Sequence, residues 1–297
     1  MCTAGRVIEK MSTDGWICGV TSVDDKLFAL LERADNQVAV YSISDYRLLR
    51  HIQLPGFKPS VFSDMTSCVR HKCLYASDYN ENYIYRYDWN SGVPVKKKFA
   101  RKHISKWSVP GSPRGLSVTP GSCNLLVACG EPKLVELCAD SGQCVREITL
   151  QSVIEGLQHT KGVLYSSYYR VVPDHTVQLT TGQYVVSQGL RGLNRVCMVD
   201  DEGRVTHRSY GDECGFDVGR LHNPSHLAMS HLAVDEDSQF IFVADQVNNR
   251  VVLLSPTLHF LREFSEGVSH PSRLYFHQTT RRLFVGKRDG DVAVIQL

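Results

Sequence analysis

From Gln239 to Ser255 the chain reads QFIFVADQVNNRVVLLS. Two apolar runs, FIFVA and RVVLL, flank a polar turn built on Asp245, Asn248 and Asn249. Each run is too short for a helix and rich in β-branched residues, and the turn between them is rich in Asn. That is the chemistry of a β-hairpin. Outward on each side lies a further short run, HLAVDED from His231 and FLREFSE from Phe260. Four consecutive strands of this kind make one antiparallel sheet.

The pattern recurs. KLFALLERADNQVAVYSI begins at Lys26, CLYASDYNENYIYRYDW at Cys73 and NLLVACGEPKLVELCA at Asn124. QYVVSQGLRGLNRVCMVD begins at Gln183 and RLFVGKRDGDVAVIQL at Arg282. With the first stretch that makes six copies, spaced by roughly 45 to 60 residues, near the period of propeller blades. Helical periodicity is nearly absent, and the one candidate helical turn is at Ser152 to Gly156. The expected fold is all-β: a six-bladed β-propeller of four-stranded antiparallel blades, one domain over residues 1–297. The blades fall at about 16–54, 64–100, 113–150, 174–211 and 225–265, with the last at 272–297 plus 5–11. That last unit runs out at Leu297 after three strands, while GRVIEKM at the N-terminus is one strand too many. Pairing the two completes the blade and hides two sheet edges.

Two stretches break the repeat. Residues 152–173 add a Tyr- and Val-rich insertion to the fourth unit. In SHLAMSHLAVD, Ser225 to Ala228 is copied at Ser230 to Ala233, five residues more than a first strand needs.

Composition is that of an ordinary globular chain, 42% hydrophobic and 22% charged. The net charge of +2 gives no bulk case for nucleic acid or membrane as partner. Arg6, Glu9, Lys10 and Asp14 interrupt any apolar leader, and no run approaches a membrane span. A cytoplasmic location is expected, with the ten cysteines reduced. Several, such as Cys68, Cys129 and Cys197, sit inside apolar strands. Cys138 and Cys144 flank a turn, an arrangement in which a hairpin would let them face each other, but a reducing compartment argues against a bridge.

Gly219 to Ser255 carries a more specific pattern: a GRLHNP lead, an LAVD strand, a VAD strand and an N-x-R-V turn. It resembles the NHL repeat, with Ala244, Asp245, Asn249, Arg250 and Val251 on the motif. Asn194, Arg195 and Val196 repeat its last part, and the other units are degenerate. The chain is thus similar to the C-terminal propeller of tripartite-motif proteins of the NHL class. No RING, B-box or coiled coil accompanies it here, so their ubiquitin-ligase activity is not implied for this chain. Independently of the resemblance, Asp245 is placed to accept hydrogen bonds within its turn, and Arg250 to pair with such an acid or with a neighbouring blade's carbonyls.

Catalytic signatures fail. There is no H-E-x-x-H, no G-x-S-x-G and no glycine-rich phosphate loop. Of twelve histidines, His222, His226 and His231 cluster near the duplicated stretch, and His71 and His277 each close a first strand. Neither set has metal-ligand spacing, so no metal, cofactor or catalytic residue is assigned. The local charge feature is PVKKKFARKHISKW from Pro94 to Trp107. It offers Lys96, Lys97, Lys98, Arg101, Lys102 and Lys106, with Phe99 and Trp107 among them. Cations for phosphates and rings for bases are what a single-stranded RNA surface needs. A solvated outer strand with a basic edge explains them as well.

The expected function is a non-catalytic, monomeric platform for protein partners, with a link to ubiquitylation carried by another chain. An RNA-binding propeller is the alternative, and a channel-site lyase or hydrolase a third reading.

Overall fold

The computed structural model describes residues 5–13, 15–32, 37–89, 104–151, 172–190, 193–211 and 231–297. They form strands and turns, with no helix among them, and therefore none long and apolar enough to cross a membrane. The chain starts with β1 (Arg6–Ser12). Blade one holds β2 (Trp16–Val23), β3 (Lys26–Glu32), β4 (Gln37–Ser42) and β5 (Leu48–Gln53). Blade two holds β6 (Met65–Cys68), β7 (Cys73–Asp78), β8 (Tyr83–Asp88) and β9 (Ile104–Ser108). Blade three holds β10 (Pro113–Val118), β11 (Leu125–Cys129), β12 (Lys133–Leu137) and β13 (Cys144–Thr149). Blade four holds β14 (Val172–Gln178), β15 (Tyr184–Leu190), β16 (Leu193–Val199) and β17 (Val205–Tyr210). Blade five holds β18 (Leu232–Val234), β19 (Ile241–Asp245), β20 (Arg250–Leu254) and β21 (Phe260–Phe264). Blade six holds β22 (Pro271–His277), β23 (Arg282–Lys287) and β24 (Asp291–Gln296).

Every blade is a four-stranded antiparallel sheet, and β1 supplies the fourth strand of the last. It pairs with β24 from Arg6↔Gln296 to Ser12↔Asp291, with one bulge between Val7 and Glu9. The ring is therefore closed by backbone hydrogen bonds between the two ends of the chain. The first strands, β2, β6, β10, β14, β18 and β22, contact one another around the axis, with β22 returning to β2.

Burial explains the sequence pattern. Middle strands are covered on both faces by neighbouring blades, so β7, β11, β19 and β20 are buried at every position. They read as unbroken apolar runs. Outer strands touch the interior on one face and alternate, as in ieieB for β21. Each turns one large residue inward: Ile52, Trp107, Ile148, Tyr210, Phe264 and, in β1, Met11.

That requirement moves one strand from its expected place. The outer strand of blade two was expected within 94–100, a stretch that lies outside the described residues. The strand on β8 is β9, where Trp107 sits opposite Ile84. Trp107 is 9% exposed and packs on Tyr75 at 5.7 Å between ring centroids. A Cβ at Gly142, which has a positive φ of 70°, would collide with its ring. Trp107 is therefore a core residue, not an exposed platform for a base. Of the insertion expected at 152–173, residues 152–171 lie outside the described residues, as do the helical turn expected at its start and Ser225 to Ser230, while Val172 and Pro173 open β14 and the second copy's His231 to Val234 leads into and forms β18.

Candidate functional site

Where the inner strands begin, four blades place an ionisable side chain on the axis. Asp64 immediately precedes β6, His175 is in β14, His231 immediately precedes β18, and Arg273 is in β22. All four are buried, none more than 7% exposed. The other two blades contribute backbone there. Gly115 in β10 lets His175 approach: a Cβ would lie 2.6 Å from the imidazole Cδ2 and 2.5 Å from the Asp174 carbonyl.

Asp64 is the hub. Its carboxylate accepts from the backbone N–H of Met65 and of Leu116, each at 2.8 Å. His231 Nε2 lies 3.2 Å from Oδ2, His175 Nε2 3.6 Å from Oδ2, and Arg273 Nε 3.6 Å from Oδ1. Arg273 also donates to the carbonyls of Cys18 at 2.6 Å, Ser63 at 2.8 Å and Val61 at 3.2 Å. All six blades thus meet at one carboxylate and one guanidinium.

Burial by itself would keep Asp64 protonated, but the interaction with His231, its hydrogen bond included, and the charge of Arg273 outweigh it and hold the carboxyl at about 2. Burial pushes His175 down to about 3, with His231 adding to the effect, so His175 is neutral.

The ligand atoms of Asp64, His175 and His231 lie within 4.8 Å of one another, a spacing suited to a cation. The hydrogen bonds place protons in its way. The Leu274 N–H points at His231 Nδ1 at 3.3 Å, so Nδ1 is the acceptor and Nε2 carries the hydrogen facing Asp64. His175 Nε2 lies 3.0 Å from the Leu116 carbonyl and must donate to it. A metal would have to evict both protons and take Asp64 from Arg273. The donor set fits a hydrogen-bonded charge clamp, with the two rings packed 3.8 Å apart, better than a metal centre. Only His175 Nδ1 is left without a partner.

Beyond the clamp the axis widens into a cavity of about 460 Å³, open at the end where the inner strands finish. Met65, Ser117, Val177, His231 and Tyr275 are among its walls. At the opposite end, where the inner strands begin, two aromatic–arginine stacks surround the axis. Arg288 lies over Trp16 at 4.6 Å, and Trp16 is 44% exposed. Arg114 lies over Phe62 at 5.1 Å and Tyr79 at 5.6 Å, and is held by Asp174 at 2.9 Å. Glu32 sits near Trp16, its carboxyl pushed up by burial.

The residues singled out from sequence are distributed otherwise. Lys96, Lys97, Lys98, Arg101 and Lys102 lie outside the described residues, as do His222 and His226. Lys106 is on the exposed face of β9 with Nζ 3.6 Å from the Tyr83 ring centre, at the rim of the ring of blades. In blade five Ala244 pairs with Val251 and Asp245 with Arg250. Asp245 Oδ2 accepts from Arg250 Nε and Asn248 Nδ2, both at 2.8 Å, and Arg250 reaches on to Glu263 at 2.7 Å. Asn249 takes a positive φ of 53° and accepts the His270 N–H at 2.8 Å, tying blade five to blade six. His277 bonds Thr280 within its own turn at 2.7 Å.

Sequence reasoning missed Asp64, His175 and Arg273 as a group, and saw His231 only beside its sequence neighbours. One signal was present: an ionisable residue within three positions of the first-strand start in units two, four, five and six.

No family model matches the sequence, and no curated protein does. Solved structures match in fold. The Cps50 (Swd1) β-propeller domain of Myceliophteria thermophila is 10% identical at a TM-score of 0.60, covering 99% of this chain and 100% of that one. A streptogramin B lyase is 11% identical at 0.59, covering 99% and 98%. Virginiamycin B lyase from Staphylococcus aureus is 11% identical at 0.57, covering 99% and 100%. At such identities the likeness establishes the propeller fold alone.

Proposed function

We propose that this chain is a non-catalytic propeller that holds a protein partner on the face carrying the Trp16–Arg288 and Phe62–Tyr79–Arg114 stacks. The observation that carries the reading is the composition of that face. Trp, Tyr and Arg are the residues on which interface energy concentrates, because they combine large apolar area with directional hydrogen bonding. Arginines stacked on rings also lose little freedom on binding. The axial clamp favours the same reading: its groups neutralise one another, so the axis beneath that face is closed by structure. The NHL motif in blade five and the thiol content support a cytoplasmic protein of the NHL class that delivers its partner to a ubiquitylating chain.

The test is capture of proteins on the full chain, with and without nuclease, compared with Trp16→Ala/Arg288→Ala and with Leu261→Ser on the exposed outer strand. Loss of a hot-spot pair is expected to weaken binding by at least about 2 kcal/mol, roughly thirtyfold. Leu261→Ser should retain the partner. Capture that survives the double substitution would sink the face assignment. Capture abolished by nuclease would replace it with the RNA reading.

A further inference from the structure

The turn after β6 lies against the turn after β10: Arg70 Nη1 reaches the Gly121 carbonyl at 3.4 Å. Cys68 and Cys123 sit at this junction, and both line the axial cavity. Cys123 packs against the apolar cluster that contains Cys68. Cys68 Sγ is 3.2 Å from His71 Nδ1. Nε2 of the same ring is 3.5 Å from Asp140 Oδ1, in the turn between β12 and β13. Thiol, imidazole and carboxylate therefore stand in sequence, with the carboxylate drawing the ring proton to Nε2. Nδ1 is left free to take the thiol proton. The other charged groups on this turn are directed elsewhere, Lys72 to Asp24 at 4.0 Å and Arg70 to Gly121.

We propose that Cys68 and Cys123 are a reversible redox pair, oxidised by hydrogen peroxide entering from the axial cavity, with His71 as base and Asp140 as the residue that positions it. His71 Nδ1 accepts the Cys68 proton as the sulfur attacks one peroxide oxygen. The O–O bond breaks, and the departing hydroxide takes the proton from the imidazolium and leaves as water. Cys68 is then a sulfenic acid. The Cys123 sulfur attacks the Cys68 sulfur, the S–O bond breaks, and the hydroxide leaves with the Cys123 proton as a second water. Two thiols and one peroxide become one disulfide and two waters. An external dithiol reverses the change, itself becoming the disulfide.

A base is needed because burial pushes the Cys68 thiol up to about 11, so the thiolate is scarce at neutral pH. Cys123 suits the second role better than Cys73, the cross-strand partner of Cys68. Cys73 is fully buried, whereas Cys123 is partly exposed and open to a reductant.

The full chain is treated with hydrogen peroxide from pH 6 to 9, quenched with iodoacetamide and mapped by peptide mass. The expected result is a Cys68–Cys123 bond that forms ahead of oxidation at exposed Cys144 and is removed by dithiothreitol. Cys123→Ser should stall at a sulfenic acid on Cys68, trapped by dimedone. His71→Gln should slow Cys68 oxidation by about a hundredfold and make its rate climb about tenfold per pH unit, where the native rate levels off. Asp140 is 78% exposed, so Asp140→Asn leaves the fold intact and should slow the reaction severalfold. Oxidation of Cys144 first, a Cys68–Cys73 bond, or a pH profile unchanged by His71→Gln would each overturn the proposal.

Discussion

The hairpin of blade five and the clamp on the axis are both built from a buried carboxylate and an arginine, yet they differ in how far the chain must travel to make them. Asp245 and Arg250 are five residues apart and meet because the β19–β20 register puts them side by side. Asp64 and Arg273 are brought together only when the ring of six blades closes. The hairpin pair has a further exit: Arg250 also binds Glu263, whose side chain is 40% exposed. The clamp has none, since every group around Asp64 is itself buried. The same chemistry thus serves one turn in the first case and the whole ring in the second.

The largest loss is expected at Asp64. Asp64→Ala leaves the buried Arg273 without its counter-ion and two backbone N–H groups without their acceptor, and is expected to cost about 3–5 kcal/mol. Chemical denaturation would measure it, and a loss below about 1 kcal/mol would mean that the clamp does not hold the ring. Asp245→Ala should cost about 1–3 kcal/mol, because Arg250 keeps Glu263. If the two substitutions cost the same, the distinction between ring and turn disappears.

Acid sharpens it further. His175 is neutral when folded, with its folded pKa depressed to about 3, while the unfolded chain binds a proton near pH 6.5. As pH falls below about 6.5 the unfolded state gains protons that the folded state refuses. Stability should then drop by up to about 1.4 kcal/mol per pH unit from this group alone. Asp64 contributes in a lower window. Its depressed folded pKa gives stability that is present above about pH 4 and lost as pH falls toward 2. Melting curves of His175→Gln should show a shallower slope than the native protein between pH 6 and 4, and equal slopes would remove His175 from the account. At the small end, deleting Ser225 to Met229 should change stability by less than about 0.5 kcal/mol. The deletion leaves Ser230 and His231 following Pro224, so the clamp keeps its imidazole. A large fall in melting temperature would show that the first copy packs against the blade.

The architecture was legible because its causes are local or repetitive. QFIFVADQVNNRVVLLS and its five relatives announce hairpins through apolar runs and turn residues. The spare GRVIEKM and the truncated last unit foretell their own pairing, since unpaired edges are costly. Trp107 was misjudged because a Trp among lysines looks like a binding surface. Its burial depends on which outer-strand residue faces the interior, and that follows from the β8–β9 register.

Six blades, their order and their closure follow from the chain alone, because strand and turn chemistry act over a few residues and repeat. That Asp64, His175, His231 and Arg273 share one point, and Cys68 and Cys123 another, emerges with the closed ring. Blades radiating from an axis bring first-strand residues together across any separation in sequence, and no local pattern encodes which of them will touch.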